Sequence, residues 1–443
     1  MARRGTRSSL NVWLNGTPVG QWTIHRNSST FTYFDDWLND ENRRPLSLSM
    51  PLTADNRPYV DDVATNYFDN LLPDSEPIRR RLAQRYRTGS TSPFDLLEAI
   101  GRDCVGAVQL LEPDEAPNDI FTIQGEELNE HAIAELLRAT TSPGGLGHED
   151  HVPDLRLSIA GAQEKNALLW HEGRWKLPTG STPTTHILKL PLGLVGNMRA
   201  DMRTSVENEW LCAQIMEGFG LPIARTAILQ FEDQKVLGVE RFDRKYSDDE
   251  TWIVRLPQED MCQAMGYSPL AKYQQDGGPG IERIMNLLLG SEVAEKDRRN
   301  FFKTQLIFWL LLATDGHAKN FSIALGPRGK YQATPLYDVL SVHPIVGRGA
   351  SKIPAQDVRL AMAVRGSTNY YHVNRIQRRH WSAMAQQLGL GAKAAEAIIE
   401  EVLEAVPKAV DSVRQKIPPA FPLDLVDSIL IGMTEQSVKL SET

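Results

Sequence analysis

The alternation of apolar and polar residues predicts a small α/β unit at the start of the chain. Two alternating segments flank the dipeptide Asn15-Gly16, which accepts the positive φ angles of a tight hairpin turn. Further along, Ser92 precedes Pro93, and this pair is typical of the N-terminus of a helix. The elements predicted here are a hairpin at residues 11–14 and 19–24, a helix at 93–101, a strand at 105–111 and a helix at 126–139.

The pattern changes after a loop rich in Gly and Pro at residues 141–148. Short strand-like segments follow at 155–159, 166–170, 186–190, 227–230 and 236–241, with one helix at 204–218. From residue 260 onward helical patterns dominate, at 281–289, 297–313, 380–388, 392–415 and 423–440. We therefore predict an α+β protein with an N-terminal subdomain at 1–140, a β-rich lobe at 153–255 and a helical lobe at 256–443.

Composition narrows the class of protein. The 443 residues are 41% hydrophobic and 23% charged, which excludes a mainly disordered or collagen-like chain. The net charge of −8 argues against a general binder of polyanions, although it allows local basic patches. The cysteines Cys104, Cys212 and Cys262 are too far apart for a CxxC zinc site or a disulfide framework. The longest apolar run, 306–313, is far below the about 20 residues of a membrane span, so we expect a soluble, cytoplasmic protein.

An aspartate and an asparagine with a specific spacing carry the first chemical signal. Asp315 and Asn320 follow a strongly apolar helical stretch at the D-x-x-x-x-N spacing of phosphotransferase catalytic loops. In such loops the Asp accepts or orients the proton of the attacking hydroxyl, and the Asn holds magnesium. Asp338 lies in a later apolar segment, where a metal bound to nucleotide phosphates could compensate its charge. A helix end followed by a polar turn, and a hydrogen-bonded turn Asp, are the alternative interpretations.

A candidate phosphate clamp lies upstream. Lys189 stands between Leu188 and Leu190 in a strand-like segment, where a kinase carries the lysine that binds the α- and β-phosphates. A helix glutamate orients this lysine in kinases, and Glu209 is our choice, with Glu207 in reserve. The alternatives are a solvent-facing lysine at a sheet edge and glutamates on an exposed helix face.

Two further segments complete a kinase-like order along the chain. The small residues Ala160, Gly161 and Ala162, with Gln163, could admit phosphate oxygens to the backbone, although an ordinary hairpin explains them as well. Residues 239–244 end the β-rich half, where a kinase places the hinge that binds adenine; a polar strand end is the alternative. Each segment is a weak signal alone, and their order is the stronger argument.

With these residues in place, the sequence resembles the HipA family of serine/threonine kinase toxins, over essentially the whole chain. The stretches that carry the resemblance are NYFDNLLP (66–73), SIAGAQEK (158–165), TTHILKLP (184–191), VERFDR (239–244), LPQEDMC (256–262), ATDGHAKNF (313–321) and Tyr337-Asp338. The resemblance implies a two-lobed protein-kinase-like fold with an added N-terminal α/β subdomain. The residue before Asp315 is not the arginine of most protein kinases, and Phe-Gly does not follow Asp338. Both departures from protein kinases at large are usual in the HipA family.

The resemblance also implies roles for individual residues. Asp315 would be the catalytic base, Asn320 and Asp338 would bind Mg²⁺, and Lys189 would contact the phosphates of ATP. Ser158 would be the autophosphorylated serine, whose modification ejects the phosphate-binding loop and silences the kinase. The residues implied to bind the nucleotide are Ala160, Gly161, Ala162, Gln163, Lys189, Glu240, Phe242, Gln258 and Asn320.

The partners implied are those of a type II toxin–antitoxin module. A HipB-type helix-turn-helix antitoxin would bind the chain and take it to operator DNA, with Arg375 and Arg379 as possible DNA contacts. The protein substrate could be glutamyl-tRNA synthetase, and its phosphorylation would arrest growth and cause persistence. A small-molecule or lipid kinase and a non-catalytic corepressor scaffold are the rival hypotheses. Autophosphorylation would favour the serine/threonine kinase toxin over both rival hypotheses.

Overall fold

The structure is a computed structural model that describes residues 8–26, 28–141, 161, 163–196 and 198–442. The chain divides into two compact units, each assembled from separate stretches of sequence. Unit 1 comprises Met1–Leu190, Leu229–Ala271 and Ile323–Tyr331, and unit 2 comprises Pro191–Ile228, Lys272–Ser322 and Gln332–Thr443. The three-part division predicted from the sequence stays a prediction about independent folding units.

Helices and strands both contribute substantially to the fold, which is α+β as predicted. The strands are β1 Ser8–Leu14, β2 Thr17–His25, β3 Ser28–Tyr33, β4 Tyr59–Val60, β5 Val108–Leu111, β6 Gly125–Glu127, β7 Lys165–His171, β8 Arg174–Pro178, β9 His186–Lys189, β10 Gly193–Val195, β11 Ala200–Met202, β12 Thr226–Phe231, β13 Gln234–Glu240, β14 Arg244–Tyr246, β15 Ile253–Arg255, β16 Gln258–Asp260, β17 Ser322–Leu325, β18 Tyr331–Ala333, β19 Arg359–Arg365 and β20 Asn369–His372. The helices are α1 Asp35–Asn39, α2 Asp62–Asp69, α3 Glu76–Arg85, α4 Pro93–Ile100, α5 Glu130–Thr141, α6 Ser205–Gly218, α7 Met261–Ala264, α8 Ile281–Leu287, α9 Ala294–Leu311, α10 Arg378–Gln387, α11 Ala392–Lys416 and α12 Leu423–Ser441.

The N-terminal part of unit 1 is a five-stranded sheet in the order β4-β3-β2-β1-β5. Asn15 and Gly16 form the β1–β2 turn with φ angles of 47° and 82°, the left-handed conformation that their sequence predicts. On the inner face Trp22 stacks on Phe68 of α2, with 4.1 Å between ring centroids. The Ser92 hydroxyl accepts a hydrogen bond from the Asp95 amide and caps α4, which confirms the predicted helix start.

The second sheet of unit 1 places the predicted phosphate-binding lysine in its centre. Its order is β12-β13-β9-β7-β8-β6, so β9 lies between β13 and β7 and is antiparallel to both. Helix α5 covers one face, where Ile133 and Leu137 join a core with Leu168, Leu188 and Val236. Because β9 is flanked on both sides, the alternative of a lysine on a sheet edge does not hold.

A cluster of buried charges joins the loop before β5 to the end of β13. The Arg241 guanidinium donates to both carboxylate oxygens of Asp243, at 3.0 and 2.8 Å, and to Asp103 at 3.3 Å. Arg244 donates to Asp103 at 2.9 Å, and Arg255 lies 3.5 Å from the same carboxylate. All five side chains are at most 11% exposed, so water does not weaken these contacts.

Backbone groups complete this cluster. The Gly106 amide donates to Asp243 at 2.7 Å, and the Thr184 amide and hydroxyl donate to Asp103 at 3.0 and 2.8 Å. Burial alone would raise the pKa of Asp103, but the charges of Arg244, Arg241 and Arg255 outweigh it and hold the pKa well below its ordinary value. Both aspartates therefore stay ionised, and the loop at 103–106 is fixed to residues 241–244.

Unit 2 is built around α9, whose last three turns are buried on every side. The sequence predicts this burial from the absence of a polar face. Around it, α6 packs on α11, and α9 packs on α11 and α12. Strands β17 to β20 interrupt the predicted helical half, and residue patterning did not reveal them. Among the described residues, no helix is both long and apolar enough to cross a membrane.

The buried charges predict a specific sensitivity of stability. Asp103→Asn should reduce the free energy of unfolding by about 3–5 kcal/mol, because it leaves buried arginines without a compensating charge. Since the folded-state pKa of Asp103 is lowered, its stabilisation is fully present above the unfolded value of about 4 and is lost as pH falls towards the folded value. Urea denaturation at neutral and acidic pH measures both effects.

The matched control is Asp201→Asn, which removes an exposed carboxylate paired with Arg203. That substitution should leave the unfolding midpoint unchanged. Equal midpoints for Asp103→Asn and wild type would show that the buried cluster does not hold the fold.

Candidate active site

The loop that follows α9 presents Asp315 at the surface. Leu312 ends the helix with a left-handed φ of 50°, and the chain then turns at Gly316. A Cβ atom at Gly316 would lie 2.5 Å from the Phe308 ring, so only glycine fits there. The His317 amide donates to the Asp315 carbonyl at 2.7 Å, and the Asn320 amide donates to the His317 carbonyl at 3.0 Å. The loop conformation is therefore set by its backbone.

The Asn320 side chain joins the two predicted acidic residues of unit 2. Its Nδ2 atom donates to the backbone carbonyl of Asp315 at 2.9 Å and approaches that of Asp338 at 3.5 Å. Asn320 is only 5% exposed, so the contacts are sheltered from solvent. Since Nδ2 makes both contacts, Oδ1 is the atom that Asn320 can offer to a cation.

Asp338 has an unusual backbone conformation. Its φ angle is 60°, a left-handed value that is disfavoured for residues other than glycine. Such strain persists only where surrounding contacts enforce it, and it is concentrated at functional sites. Together Asp338 and Asn320 offer carboxylate and carboxamide oxygens, the hard ligands that Mg²⁺ prefers. Among the described residues, no group of three or more His, Cys, Asp and Glu side chains forms a separate metal site.

The segment after Asp338 is fixed to helix α6. The Asn208 side chain donates to the Ser341 carbonyl at 2.8 Å and accepts from the Ser341 amide at 2.9 Å. The Ser341 hydroxyl donates to the Leu311 carbonyl at the end of α9, at 2.6 Å. Glu207 and Glu209 flank Asn208 on α6, so the helix that carries both glutamates is attached to the Asp338 loop.

Both glutamates are buried rather than solvent-exposed. Glu209 is 4% exposed and Glu207 is 5% exposed. A buried carboxylate requires polar or charged partners, since its desolvation is costly. The interpretation of these residues as an exposed helix face is therefore wrong, and both remain candidates for a lysine-orienting role.

In unit 1, two lysines share one face of the central sheet. Lys189 is 7% exposed and lies directly opposite Lys165 of the neighbouring strand. Like charges at opposed positions of an antiparallel pair repel each other, so an anion held by both would be stabilised. The sequence analysis did not select Lys165, because its importance depends on strand register.

The described part of the small-residue loop approaches these lysines. Gly161 has a φ of 115°, and a Cβ atom there would lie 2.6 Å from Nζ of Lys165. Its carbonyl accepts from the Asp74 amide at 3.1 Å, and Gln163 donates to the Leu190 carbonyl at 2.5 Å. Ser158, Ala160 and Ala162 lie outside the described residues.

The predicted hinge continues the central sheet. Glu240 pairs with His186 across β13 and β9, and the Arg241 amide donates to the Thr185 carbonyl at 2.8 Å. Arg241 is the centre of the buried charge cluster, which fixes this segment beyond the strand. Phe242 is partly buried and Glu240 is exposed.

Gln258 lies against the loop at 103–106, which the buried charges around Arg241 hold in place. A Cβ atom at Gly106, which has a φ of 72°, would lie 2.7 Å from the Gln258 carbonyl oxygen. The two backbones can approach this closely only because residue 106 is glycine. The N-terminal subdomain thus supports both segments of unit 1 that were predicted to contact adenine.

The predicted DNA-contacting residues lie at the surface of unit 2. Arg379 is exposed in the first turn of α10, and Arg375 is exposed three residues before that helix begins. Their neighbour Arg378 forms ion pairs with Glu396 and Glu400 of α11, so its charge is already neutralised. Their exposure leaves both guanidinium groups accessible to a polyanion.

Comparison with known proteins identifies a family. The sequence model of the HipA-like C-terminal domain matches residues 157–410, and that of the HipA N-terminal domain matches residues 10–111. Y4mE of Sinorhizobium fredii, whose name describes it as a candidate kinase, is 33% identical over 437 residues, covering 97% of this chain and 96% of the relative. The serine/threonine-protein kinase toxin HipA of Shewanella oneidensis is 24% identical over 424 residues, covering 93% and 90%.

A solved structure agrees with these sequence matches. HipA in the complex of Shewanella oneidensis MR-1 HipA, HipB and operator DNA has a TM-score of 0.78 to this chain, at 21% identity, and the match covers 98% of this chain and 97% of the other. The match defines a kinase-like α+β fold. The chain belongs to the HipA family.

A substitution at Gly161 tests whether Lys165 and Lys189 together form a phosphate-binding site, called here the phosphate cradle. In Gly161→Ala the methyl group would displace the Lys165 ammonium, which can move because it ends a flexible side chain. The affinity for Mg·ATP should fall about tenfold, and the left-handed backbone should also reduce stability by about 1–2 kcal/mol. Isothermal titration calorimetry and urea denaturation measure the two effects.

Gly173→Ala is the matched control, because Gly173 has a φ of 75° but no atom within 4 Å of the added methyl group. It should lose stability without losing affinity. Equal nucleotide affinities for the two variants would contradict the assignment of a phosphate cradle.

Proposed function

We propose that this protein is an ATP- and Mg²⁺-dependent serine/threonine protein kinase that acts as the toxin of a type II toxin–antitoxin module. The observation that carries the proposal is the Asn320 side chain, which joins the Asp315 and Asp338 backbones within one unit. A spacing-dependent motif alone could be an ordinary turn. Contact between its asparagine and the backbone of a separate aspartate brings together the two residue types that hold Mg²⁺ in kinase active sites.

The reaction proposed is transfer of the γ-phosphoryl group of ATP to a serine hydroxyl. The serine oxygen forms a bond to the γ-phosphorus while the bond between that phosphorus and the β,γ-bridging oxygen breaks, and ADP leaves. Asp315 accepts the serine proton. Mg²⁺, held by Asn320 and Asp338, would neutralise charge on the phosphates, and Lys165 and Lys189 would add to that neutralisation.

The remaining groups orient the nucleotide. Gly161 and Gln163, with Ala160 and Ala162 next to them in the sequence, would bind phosphate oxygens through the backbone. The hinge residues Glu240 and Phe242, together with Gln258, would bind adenine, supported by the buried cluster around Arg241. Glu209 would orient Lys189, and its burial supports a partnered role.

We further propose that Ser158 is the site of autophosphorylation and that this modification silences the kinase. A phosphoserine carries close to two negative charges at neutral pH. Placed near the phosphate-binding residues, it would repel the phosphates of ATP. The proximity of Ser158 to Gly161 in the sequence supports this proposal, together with the family resemblance.

The partner proposals follow from the relatives. The solved relative forms a complex with HipB and operator DNA. We propose that this chain likewise binds a HipB-type antitoxin in the cytoplasm and corepresses its operon, with exposed Arg375 and Arg379 available to DNA phosphates. Its substrate would be a component of translation such as glutamyl-tRNA synthetase, and phosphorylation would arrest growth and produce persistence.

Phosphoserine formation tests the proposed reaction. Purified wild-type protein incubated with Mg·ATP should accumulate phosphoserine at residue 158, mapped by mass spectrometry. Asp315→Asn should reduce the initial rate at least about a hundredfold, since it removes the general base. Asp411→Asn, which makes the same change of charge at an exposed position of α11, should behave like wild type.

Other outcomes would identify the rival functions. Transfer to sugars or inositol lipids with no modified protein would indicate a small-molecule or lipid kinase. Absence of phosphoryl transfer, with antitoxin binding retained, would indicate a corepressor scaffold. Unchanged phosphoserine formation in Asp315→Asn would show that Asp315 is not the base.

A further inference from the structure

A tyrosine hydroxyl contacts the carboxylate that the proposed mechanism uses as a base. Oη of Tyr273 donates to Oδ1 of Asp315 at a distance of 2.5 Å. We propose that Tyr273 is a positioning residue that fixes the orientation of the Asp315 carboxylate, an inference that rests on the proposed function. The sequence analysis selected neither Tyr273 nor the segment around it.

The backbone and ring of Tyr273 are held against the same loop as its hydroxyl. The Ala318 amide donates to the Lys272 carbonyl at 3.3 Å. The imidazole of His317 meets the Tyr273 ring edge-to-face, with centroids 5.0 Å apart and an interplanar angle of 85°. Contacts with His317 and Ala318, which follow Asp315 in the loop, therefore hold the phenol in place, and a phenylalanine could keep all of them except the hydroxyl contact.

The segment that carries Tyr273 has a defined turn. The Tyr273 carbonyl accepts from the amides of Asp276 and Gly278, both at 3.0 Å. Gly277 between them has a left-handed φ of 91°, which glycine adopts without strain. The left-handed glycine therefore allows the turn that holds the backbone of Tyr273.

The next side chain fastens this turn to the rest of unit 2. Oε1 of Gln274 accepts a hydrogen bond from the Ala363 amide of β19 at 2.7 Å. A Cβ atom at Gly280 would lie 2.3 Å from the Gln274 carboxamide, so a larger residue there would displace the side chain that makes this contact. The segment that carries Tyr273 is thus held by hydrogen bonds within its turn and by the contact of Gln274 with β19.

Asp315 needs such a restraint because its side chain is exposed. His317 and Asn320 hold only its backbone carbonyl, and they leave the carboxylate torsion angle undetermined. The Tyr273 hydroxyl constrains the carboxylate at Oδ1. In the proposed reaction Oδ2 would then be the oxygen that accepts the serine proton. General-base catalysis depends on placing the accepting oxygen within hydrogen-bond reach of the hydroxyl, so loss of the constraint should slow the chemical step.

The test is the variant Tyr273→Phe, compared with wild type in the initial rate of phosphoserine formation over a range of ATP concentrations, with kcat taken as the maximal rate constant and KM as the ATP concentration at half-maximal rate. We expect kcat to fall about tenfold while KM for ATP stays unchanged, because the hydroxyl positions the base and does not bind the nucleotide. Tyr371→Phe is the matched control, since it removes a hydroxyl from strand β20 of the same unit. It should keep the wild-type kcat.

A spectroscopic measurement tests the contact without any turnover. The full-length protein is labelled with ¹³C at the tyrosine ζ-carbons, and the Tyr273 resonance is assigned by its loss in Tyr273→Phe. Asp315→Asn should shift that resonance, because the phenol loses a charged acceptor. The Tyr371 resonance should not move.

The two measurements separate the possible failures. An unmoved Tyr273 resonance, or an unchanged or increased kcat in Tyr273→Phe, would overturn the positioning role even if wild type is an active kinase. No phosphoserine formation by wild type, with the resonance still shifted, would overturn the proposed function and with it the catalytic meaning of the contact. A tenfold fall in kcat together with the resonance shift supports the inference.

Discussion

The buried contact of Asp103 and Asp243 with three arginines is the constraint on which unit 1 depends. Charges removed from water can be separated only at a large cost in free energy, so the segments that carry them are held together. Those segments are the loop at 103–106, which belongs to the N-terminal sheet, and residues 241–244, which follow the central sheet. This contact explains why both sheets form one compact unit although the sequence suggests a boundary near residue 150.

In unit 2, distant segments are held together by buried neutral polar groups rather than by buried charges. The Asn320 carboxamide is buried and contacts two carbonyls that are 23 positions apart in the sequence, those of Asp315 and Asp338. Asn208 makes a comparable two-way contact with Ser341 and so attaches α6 to the same region. Buried polar side chains need hydrogen-bonding partners, so these contacts determine where the exposed Asp315 and the strained Asp338 stand. These hydrogen bonds position the loops that carry Asp315 and Asp338, the two residues that the proposed reaction uses.

Local patterns predicted much of the fold and the acidic half of the site. The Asn15-Gly16 hairpin, the Ser92 cap and the buried helix α9 follow from turn chemistry, capping and hydrophobicity, and the structure confirms each. The spacing of Asp315 and Asn320 likewise identified a loop in which the two residues are joined by a hydrogen bond. Lys165, Tyr273 and the cluster around Arg241 were missed, because their meaning depends on strand register or on partners up to 141 positions away. The strands β17, β18 and β20 were missed because they are short, and β19 was missed because it lies among strong helical patterns.

The proposed function makes the binding of Mg·ATP depend on Lys189 and also on Asp338. Calorimetric titration with the non-hydrolysable β,γ-imido analogue of ATP in the presence of Mg²⁺ tests it most directly, in wild type, Lys189→Ala and Asp338→Asn. We expect a single binding event in wild type, and each substitution should weaken it by at least about tenfold. Removing Mg²⁺ should weaken binding in wild type but hardly at all in Asp338→Asn. Wild-type affinity in either variant, or an equal effect of Mg²⁺ on both proteins, would contradict it.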